Sequence, residues 1–568
     1  METRNCQNCK NDFNIESDDF SFYEKIKVPA PTFCPECRMV RRLIWRNERS
    51  LYKRECGLCK KSLVSMYRED GAPVYCNECW NGTNWDQFTN AKEYSFEIPF
   101  FDQLRSLFAI NPRFYAYKFG SFVNSDFVNF AKDDKNTYLS YSVIDCEDIS
   151  YSTLVDKSKN SIDCFNAIKV DTCSYNIYCE GNYNVHYAVK SQNCIDSNFI
   201  YDCANCQNCT LSSNLRNQQY YFKNKKLSKE EYQNRVKELH LETYTGFENT
   251  KKEFDSIVEG DTIHKYAFIY ASQNVTGDYI HNARGVKNCF DTYESENISY
   301  SNRVLYAKDC MDLSGGGYCE ATYESMAATM NTSMDFFCYI TIQGCRECEY
   351  SLILKNCSNC FGCVGLTNAQ YCILNKQYTK EEYFETVAKI KQHMMEMPYV
   401  DKNGRVFTYG EFFPYDMCPF SYNETNAHDY FPITKEEALL YEYPWKDREK
   451  REYTATKNAI ELPDSINEVE DTIVSEIIAC PSEGDPNFLC TSAFRVTPEE
   501  LQFYRKMKLP LPRYCPNCRH YQRLEYKNPW KLYTRLCTNG CGNNIETTYA
   551  PDRPETVYCE KCYQQEVL

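Results

Sequence analysis

Sixteen cysteines stand in pairs along the two ends of this chain. Cys6 and Cys9, Cys34 and Cys37, Cys56 and Cys59, and Cys76 and Cys79 lie near the start; Cys480 and Cys490, Cys515 and Cys518, Cys537 and Cys541, and Cys559 and Cys562 lie near the end. A Cys-x-x-Cys pair folds into a tight turn that aims two thiolates at one ion, and two such pairs supply the tetrahedron that zinc accepts. The spacing from Cys59 to Cys76 falls inside the usual range for such sites, and the last four cysteines repeat it closely. About four structural zinc sites are expected, with pairs combining sequentially in each module. An interleaved pairing, such as Cys6 and Cys9 with Cys56 and Cys59, stays open. Disulfides, reduced core cysteines and rubredoxin-like iron are competing readings of the same residues.

The two ends are copies of one unit. Phe13, Tyr23, Pro29, Cys34, Arg38, Arg42, Asn47, Arg54 and Cys56 return at a constant offset as Phe494, Tyr504, Pro510, Cys515, Arg519, Arg523, Asn528, Arg535 and Cys537. Both copies are basic although the whole chain carries a net charge of −15. Arg38, Arg41, Arg42, Trp45, Arg46, Arg49, Lys53 and Arg54, with Arg519, Arg523, Lys527 and Arg535 in the second copy, have the makeup of a nucleic-acid contact: guanidinium groups for phosphate and a ring for stacking. A solvated helix face is the competing reading. Glu461 to Asp485, by contrast, contains no Lys or Arg.

Between the ends lies a second duplication. Cys206, Cys209, Leu215, Asn217, Tyr220, Asn224 and Tyr232 recur as Cys357, Cys360, Leu366, Asn368, Tyr371, Asn375 and Tyr383. Upstream of each copy, Asn or Asp followed by Cys returns at intervals near nine, eighteen or twenty-one residues. The stretch is rich in Tyr, Asn, Ser, Cys, Ile and Val and lacks helical apolar spacing, so short strands are predicted. Strands returning at a fixed period bury their inward side chains by stacking, which predicts a mainly β protein with a parallel β-solenoid core. Zinc-ribbon, treble-clef-like modules would flank that core. Cys203, Cys206 and Cys209, with Cys345, Cys348, Cys357, Cys360 and Cys363, have ligand-like spacing but lie inside the strand pattern, where small apolar ladder residues are expected. Capping boxes at Ser228/Glu231, Thr379/Glu382, Thr434/Glu437 and Thr497/Glu500 announce helices. After Thr379, Tyr383, Phe384, Val387 and Ile390 would face the open end of the strand stack.

The predicted order is a double zinc module at 1–92, two repeat halves at 93–240 and 241–395, an aromatic connector at 396–464, and a second double zinc module at 465–568. The 568 residues allow several domains, and 35 cysteines grouped in pairs point to thiolate ligands in a reducing compartment. The start lacks an apolar core and no long apolar run exists, so a cytoplasmic protein without a membrane partner is expected. Catalysis has little support: seven histidines are scattered, and Gly315-Gly316-Gly317 reads as a turn among strands.

Thr32-Phe33-Cys34-Pro35-Glu36-Cys37-Arg38, Arg46-Asn47-Glu48-Arg49-Ser50-Leu51-Tyr52-Lys53-Arg54, Tyr409-Gly410-Glu411-Phe412-Phe413-Pro414 and Thr547-Thr548-Tyr549-Ala550-Pro551-Asp552-Arg553-Pro554-Glu555 resemble the large cysteine-rich zinc-ribbon proteins of small-genome candidate-phyla bacteria. The resemblance implies metal-bound ends around a repetitive middle. Members are sometimes labelled CoA-transferases of the carnitine and bile-acid type, which no residue pattern here supports. The sequence therefore leads to a non-enzymatic zinc scaffold that offers basic module surfaces to RNA or a ribonucleoprotein. A protein-interaction scaffold using the repeat flank is the alternative, and an enzyme of unknown class the second.

Overall fold

A computed structural model describes residues 1–69, 71–447 and 454–568. The protein is mostly β, as the composition of the middle predicts, and its layout follows from a backbone rule. Every third residue from Phe130 to Tyr220 has positive φ, Gly181 included. A left-handed conformation costs about 1–2 kcal/mol per L-residue and least for Asn and Asp. Asp133, Asn136, Asp145, Asp148, Asn160 and Asp163 sit at such positions, which explains why the middle is rich in these residues. The residue after each corner turns inward, so Val143, Cys146, Ile149, Val155, Cys164 and Ala167 fill one buried cluster. The intervals of nine, eighteen and twenty-one legible in the sequence are multiples of this three-residue step.

Strands pair in parallel with a register of twelve residues: Tyr141 with Thr153, Thr153 with Phe165, Phe165 with Ile177, Ile177 with Val189, Val189 with Tyr201, and Tyr201 with Ser213. Seven strands of this first sheet, from Ala131–Lys135 to Ser174–Glu180, close into a ring through the pairing of Ile162 with Ser174. Asparagine ladders run along the corners: Asn124 donates to Asn136 (3.1 Å) and Asn136 to Asp148 (2.9 Å). The second sheet keeps the same register from Glu296 with Lys308 to Met311 with Tyr323. It lengthens by one residue where Met326 meets Tyr339 and Tyr339 meets Leu352. The extra residues fall where two left-handed residues adjoin, Met330/Asn331 and Gln343/Gly344.

All four capping boxes form, at the helices Lys229–Lys237, Lys380–Glu396, Lys435–Leu440 and Pro498–Met507. Tyr383, Val387 and Ile390 are buried as expected, but Phe384 is 49% exposed and leaves that face. The helix Tyr244–Gly260, which no sequence signal announced, buries Phe254 and Val258 against the first sheet beside Phe199 and Tyr187.

The modules dock crosswise. The helix Pro35–Leu43 of the first module lies on the second sheet, and the helix Pro516–Leu524 of the last module lies on the first. Arg38 Nε and Arg42 Nη1 donate to the two oxygens of Asp312 (2.9 and 3.0 Å), Arg42 Nη2 donates to the Tyr300 carbonyl (3.2 Å), and the Tyr300 hydroxyl donates to Asp19 (2.9 Å). At the other end, Arg519 Nη1 and Arg523 Nη1 donate to the two oxygens of Asp163 (2.6 and 2.5 Å), Arg523 Nη2 donates to the Tyr151 carbonyl (2.8 Å), and the Tyr151 hydroxyl donates to Glu500 (3.0 Å). Each member has its counterpart in the other copy, so both duplications share one contact.

This overturns most of the predicted nucleic-acid face. Arg38, Arg41, Arg42, Arg46, Arg519 and Arg523 are buried because their charges are spent on interior carboxylates, and Trp45 is buried among aromatic rings. Arg41 lies between Glu324 and Glu411, Arg46 on Glu48, and Trp45 against the rings of Tyr339 and Phe413. Arg54 and Arg535 brace backbone carbonyls, Arg54 those of Tyr67 and Ala72, Arg535 those of Ala550 and Glu555. Lys527 donates to the Asp429 carbonyl (2.7 Å), and burial pulls its ammonium down to about 7. Among these candidates only Lys53 is exposed, while Arg49, Arg54, Lys527 and Arg535 are half-buried.

Asp163→Asn and Asp312→Asn should each cost on the order of 3 kcal/mol in denaturant unfolding: the second leaves Arg38 and Arg42 buried without a carboxylate, and the first does so for Arg523 while Arg519 keeps only Glu500. Asp148→Asn, at an exposed corner of the same left-handed geometry, should stay within about 0.5 kcal/mol of the parent.

Candidate metal centres

Each module contributes two hairpin-and-helix units. Glu2–Asn5 pairs with Asp12–Ile15, and the turn between them carries Cys6 and Cys9; Cys34 then caps the helix Pro35–Leu43, which carries Cys37. The plan repeats with the hairpin Tyr52–Glu55 and Ser62–Ser65 and the helix Asn77–Trp80, capped by Cys76. In the last module, Ile478–Ala479 pairs with Ala493–Phe494 and Tyr533–Leu536 with Asn544–Thr547, while Cys515 and Cys559 cap the helices Pro516–Leu524 and Glu560–Val567. A cap residue has extended backbone and aims its side chain at the helix start, which turns the second thiolate pair toward the hairpin pair.

Four groups result: Cys6, Cys9, Cys34 and Cys37; Cys56, Cys59, Cys76 and Cys79; Cys480, Cys490, Cys515 and Cys518; Cys537, Cys541, Cys559 and Cys562. Within each, all four sulfurs lie within 4.8 Å of one another. Sequential pairing is the arrangement found. The wide spacing of Cys480 and Cys490 does not break its site, because the short helical turn Pro486–Phe488 folds the extra residues back. Individual Sγ separations are 3.8 Å for Cys9 and Cys34, Cys59 and Cys76, Cys480 and Cys518, and Cys541 and Cys559. A tetrahedron with metal–sulfur bonds of about 2.3 Å has edges of about 3.8 Å. None of the cysteines is disulfide-bonded.

The first sulfur of every group accepts the backbone N–H of the third cysteine: Cys34 to Cys6 (3.3 Å), Cys76 to Cys56 (3.4 Å), Cys515 to Cys480 (3.3 Å) and Cys559 to Cys537 (3.3 Å). Such donors favour thiolate over thiol. Burial pushes Cys56 upward, yet the backbone N–H groups of Cys59 and Cys76 outweigh it and hold the thiol down to about 6. The groups differ in shelter: the ones containing Cys6 and Cys480 have no exposed sulfur, whereas Cys59 and Cys541 stand exposed.

The central cysteines behave differently. Among the described residues none of them joins a metal-sized group. Cys146 donates its S–H to the carbonyls of Ile144 (3.3 Å) and Val155 (3.4 Å), and Cys338 and Cys357 make the same pair of bonds. Ser152 and Ser158 occupy equivalent inward positions and donate likewise to the residue two before. Burial pushes Cys146 and Cys164 up to about 12, so these side chains stay thiols that satisfy buried carbonyls. Sequence reasoning missed the acidic partners of the modules, Asp163, Asp312, Glu324 and Glu411. The signal was the Arg pair at i and i+4 in both copies.

Metal analysis of the purified, reduced protein should give about four ions per chain, and Cys37→Ser should lower that by one. A chromogenic chelator should withdraw two ions quickly, from the groups with an exposed sulfur, and two slowly. No protein-family profile and no curated protein matches the chain. Among solved structures, one from Desulfovibrio desulfuricans G20 that carries an acetyltransferase label overlaps it with a TM-score of 0.11 and 10% identity, over 51% of this chain and 86% of that one, a likeness too slight to carry an argument.

Proposed function

We propose that this protein is a non-enzymatic binding scaffold in which four structural zinc ions hold two zinc-ribbon modules of treble-clef type on a β-solenoid body. The observation that carries the reading is the coupling of each sheltered thiolate group to a buried clamp. Cys34 and Cys37 bracket the first turn of the helix that presents Arg38 and Arg42, and Cys515 and Cys518 do so for Arg519 and Arg523. Metal binding thereby fixes the helix whose arginines hold the body. Zinc suits a closed set of four thiolates, and four sulfurs leave no position for a substrate, the mark of a structural rather than a catalytic ion. The twelve-residue register with a corner every three residues supports a square solenoid, four short sides to a turn.

A cleft of about 1080 Å³ is lined by no histidine and by one carboxylate, Asp447, among the described residues, a composition suited to binding rather than to acid–base chemistry. A second reading, a protein docked on the flank of the second sheet, is favoured by the exposed stacked rings of Tyr306 and Tyr318, 4.7 Å apart. Reduced thiols throughout and the lack of any helix long and apolar enough to cross a membrane among the described residues fit a cytoplasmic setting.

A zinc chelator should open the ends before the middle, because binding of structural zinc contributes on the order of 10 kcal/mol to folding a small module. Limited proteolysis after chelation should degrade residues 1–92 and 465–568 and leave a resistant parallel-sheet body. Chelated protein as resistant as the metal-loaded form, or a bound ion with the visible absorption of ferric thiolate, would sink the reading.

A further inference from the structure

The two copies of the module–sheet contact are alike where they clamp and unlike beside it, and the difference marks a site. At one position the second copy places Trp530, which stacks on Tyr430 at 3.5 Å and lies over Phe290. The first copy has Arg49 there, over the Tyr141 ring at 5.2 Å. Lys287 of the second sheet, neutralised by Asp19 at 3.1 Å, corresponds to Tyr138 of the first, and Thr276 corresponds to Phe127. Arg495 and Lys53 of the cleft correspond to Asn14 and Thr534. The exchanges replace a closed, neutral contact by an open cleft with free cations and half-buried rings.

We propose that this cleft, between the first metal module, the first sheet and the last metal module, binds single-stranded nucleic acid. The inference rests on the scaffold reading and names its ligand class. Three features point to it. At about 1080 Å³ the cleft lies at the upper end of the roughly 300–1,000 Å³ of small-molecule sites and has room for a short length of polymer. Arg49, Lys53 and Arg495 line it without a carboxylate at ion-pair distance among the described residues; Arg49 hydrogen-bonds to the neutral Asn517 (2.9 Å) and Thr153 (3.4 Å) and feels Asp429 only at longer range, and Lys53 and Arg495 are exposed. Phe127 and Tyr138, half-buried and in edge contact at 5.6 Å, present ring surface beside those cations.

Cations that track phosphates and rings that stack on bases are the two devices of single-strand recognition. A duplex would hide its bases from Phe127 and Tyr138. An acidic protein would use the cations but not the rings. The net charge of −15 repels a polyanion elsewhere, so the patch localises the strand. The site lies apart from the buried arginines that sequence reasoning chose, and shares with them only Arg49 and Lys53.

The test is fluorescence anisotropy with the full-length, metal-loaded protein. The probes are a short labelled oligouridine, the matching oligothymidine, an RNA duplex of equal length, and poly-glutamate. Both single strands should bind, more tightly than the duplex or poly-glutamate, with a log–log salt slope of about −2 for three phosphate contacts. Preference between the two strands identifies RNA or DNA as the source. Lys53→Glu combined with Arg495→Glu should weaken binding at least tenfold and flatten the slope. Phe127→Ala with Tyr138→Ala should weaken it on the order of tenfold and leave the slope unchanged. Lys380→Glu, exposed and remote from the cleft, should bind as the parent does. No single-strand binding by the parent, equal binding of poly-glutamate, or equal losses in Lys380→Glu would overturn the proposal. Four bound zinc ions and an unchanged melting profile in the same preparations separate that failure from failure of the scaffold itself.

Discussion

The structure depends on one carboxylate shared by two arginines, built twice. Asp312 and Asp163 are wholly buried, and each accepts from a pair of guanidinium groups one helical turn apart. Burying such charges costs several kcal/mol per ion, and only close geometry with further partners offsets that cost. The further partners are present: Tyr300 and Tyr151 supply carbonyl and hydroxyl, and their rings lie 5.6 and 4.7 Å from Arg38 and Arg519. The surplus positive charge is met at one end by Glu324 and Glu411 on Arg41, and at the other by Glu500 on Arg519 (3.2 Å). An apolar patch of similar area would hold a module as tightly but tolerate many orientations. Two forks on one carboxylate tolerate few.

The clamp also explains where its aspartates sit. Both occupy left-handed corners, Asp163 and Asp312 each at φ 54. A corner carboxylate normally faces solvent and joins an Asx ladder, as Asp148 does for Asn136. Where a metal module covers the corner, the same residue type in the same conformation becomes an interior anion. The fold thus gains a specific docking point without altering its backbone rule. The arginines alone distinguish a covered corner from a bare one.

The grouping of the cysteines was legible because the pairs are local: a turn and a helix start bring Cys6, Cys9, Cys34 and Cys37 together within one hairpin-and-helix unit. The strand character of the middle and its capped helices were legible for the same reason. The three-residue step was present but disguised, since inward positions accept Cys, Ser, Val, Ala or Asn alike, and counting cysteines samples only some corners. The partners of Arg38 and Arg42 were illegible. Asp312 differs from dozens of corner Asx residues only in what packs on it, and that is a property of tertiary contact. A run of arginines beside a tryptophan reads as a surface until its counter-ions are known, and in this chain they lie some 270 residues away.

Crosswise docking imposes an order on folding. Each thiolate group closes within a few tens of residues, so a module can take up metal and form its helix soon after synthesis. Its clamp cannot close then, because Asp312 comes late in the chain and the first sheet, made next, offers the first module no matching partner: Tyr175 stands at the position that Glu324 holds in the second sheet, so that sheet would offer Arg41 no anion. Loop-closure entropy rises only slowly with length, at about 0.6 kcal/mol per doubling, so the long wait costs little. The mismatch at Arg41 therefore decides the pairing. On the wrong sheet Arg41 would lose Glu324 and keep only Glu411, which Thr32 of the same module also binds, a penalty on the order of 3 kcal/mol, larger than the closure term separating the near sheet from the far one. The second sheet, with Glu324 beneath Arg41 and Asp312 beneath Arg38 and Arg42, is the one surface that discharges all three. A duplicated clamp with one unduplicated sheet anion, Glu324, is thus enough to tell two similar halves apart.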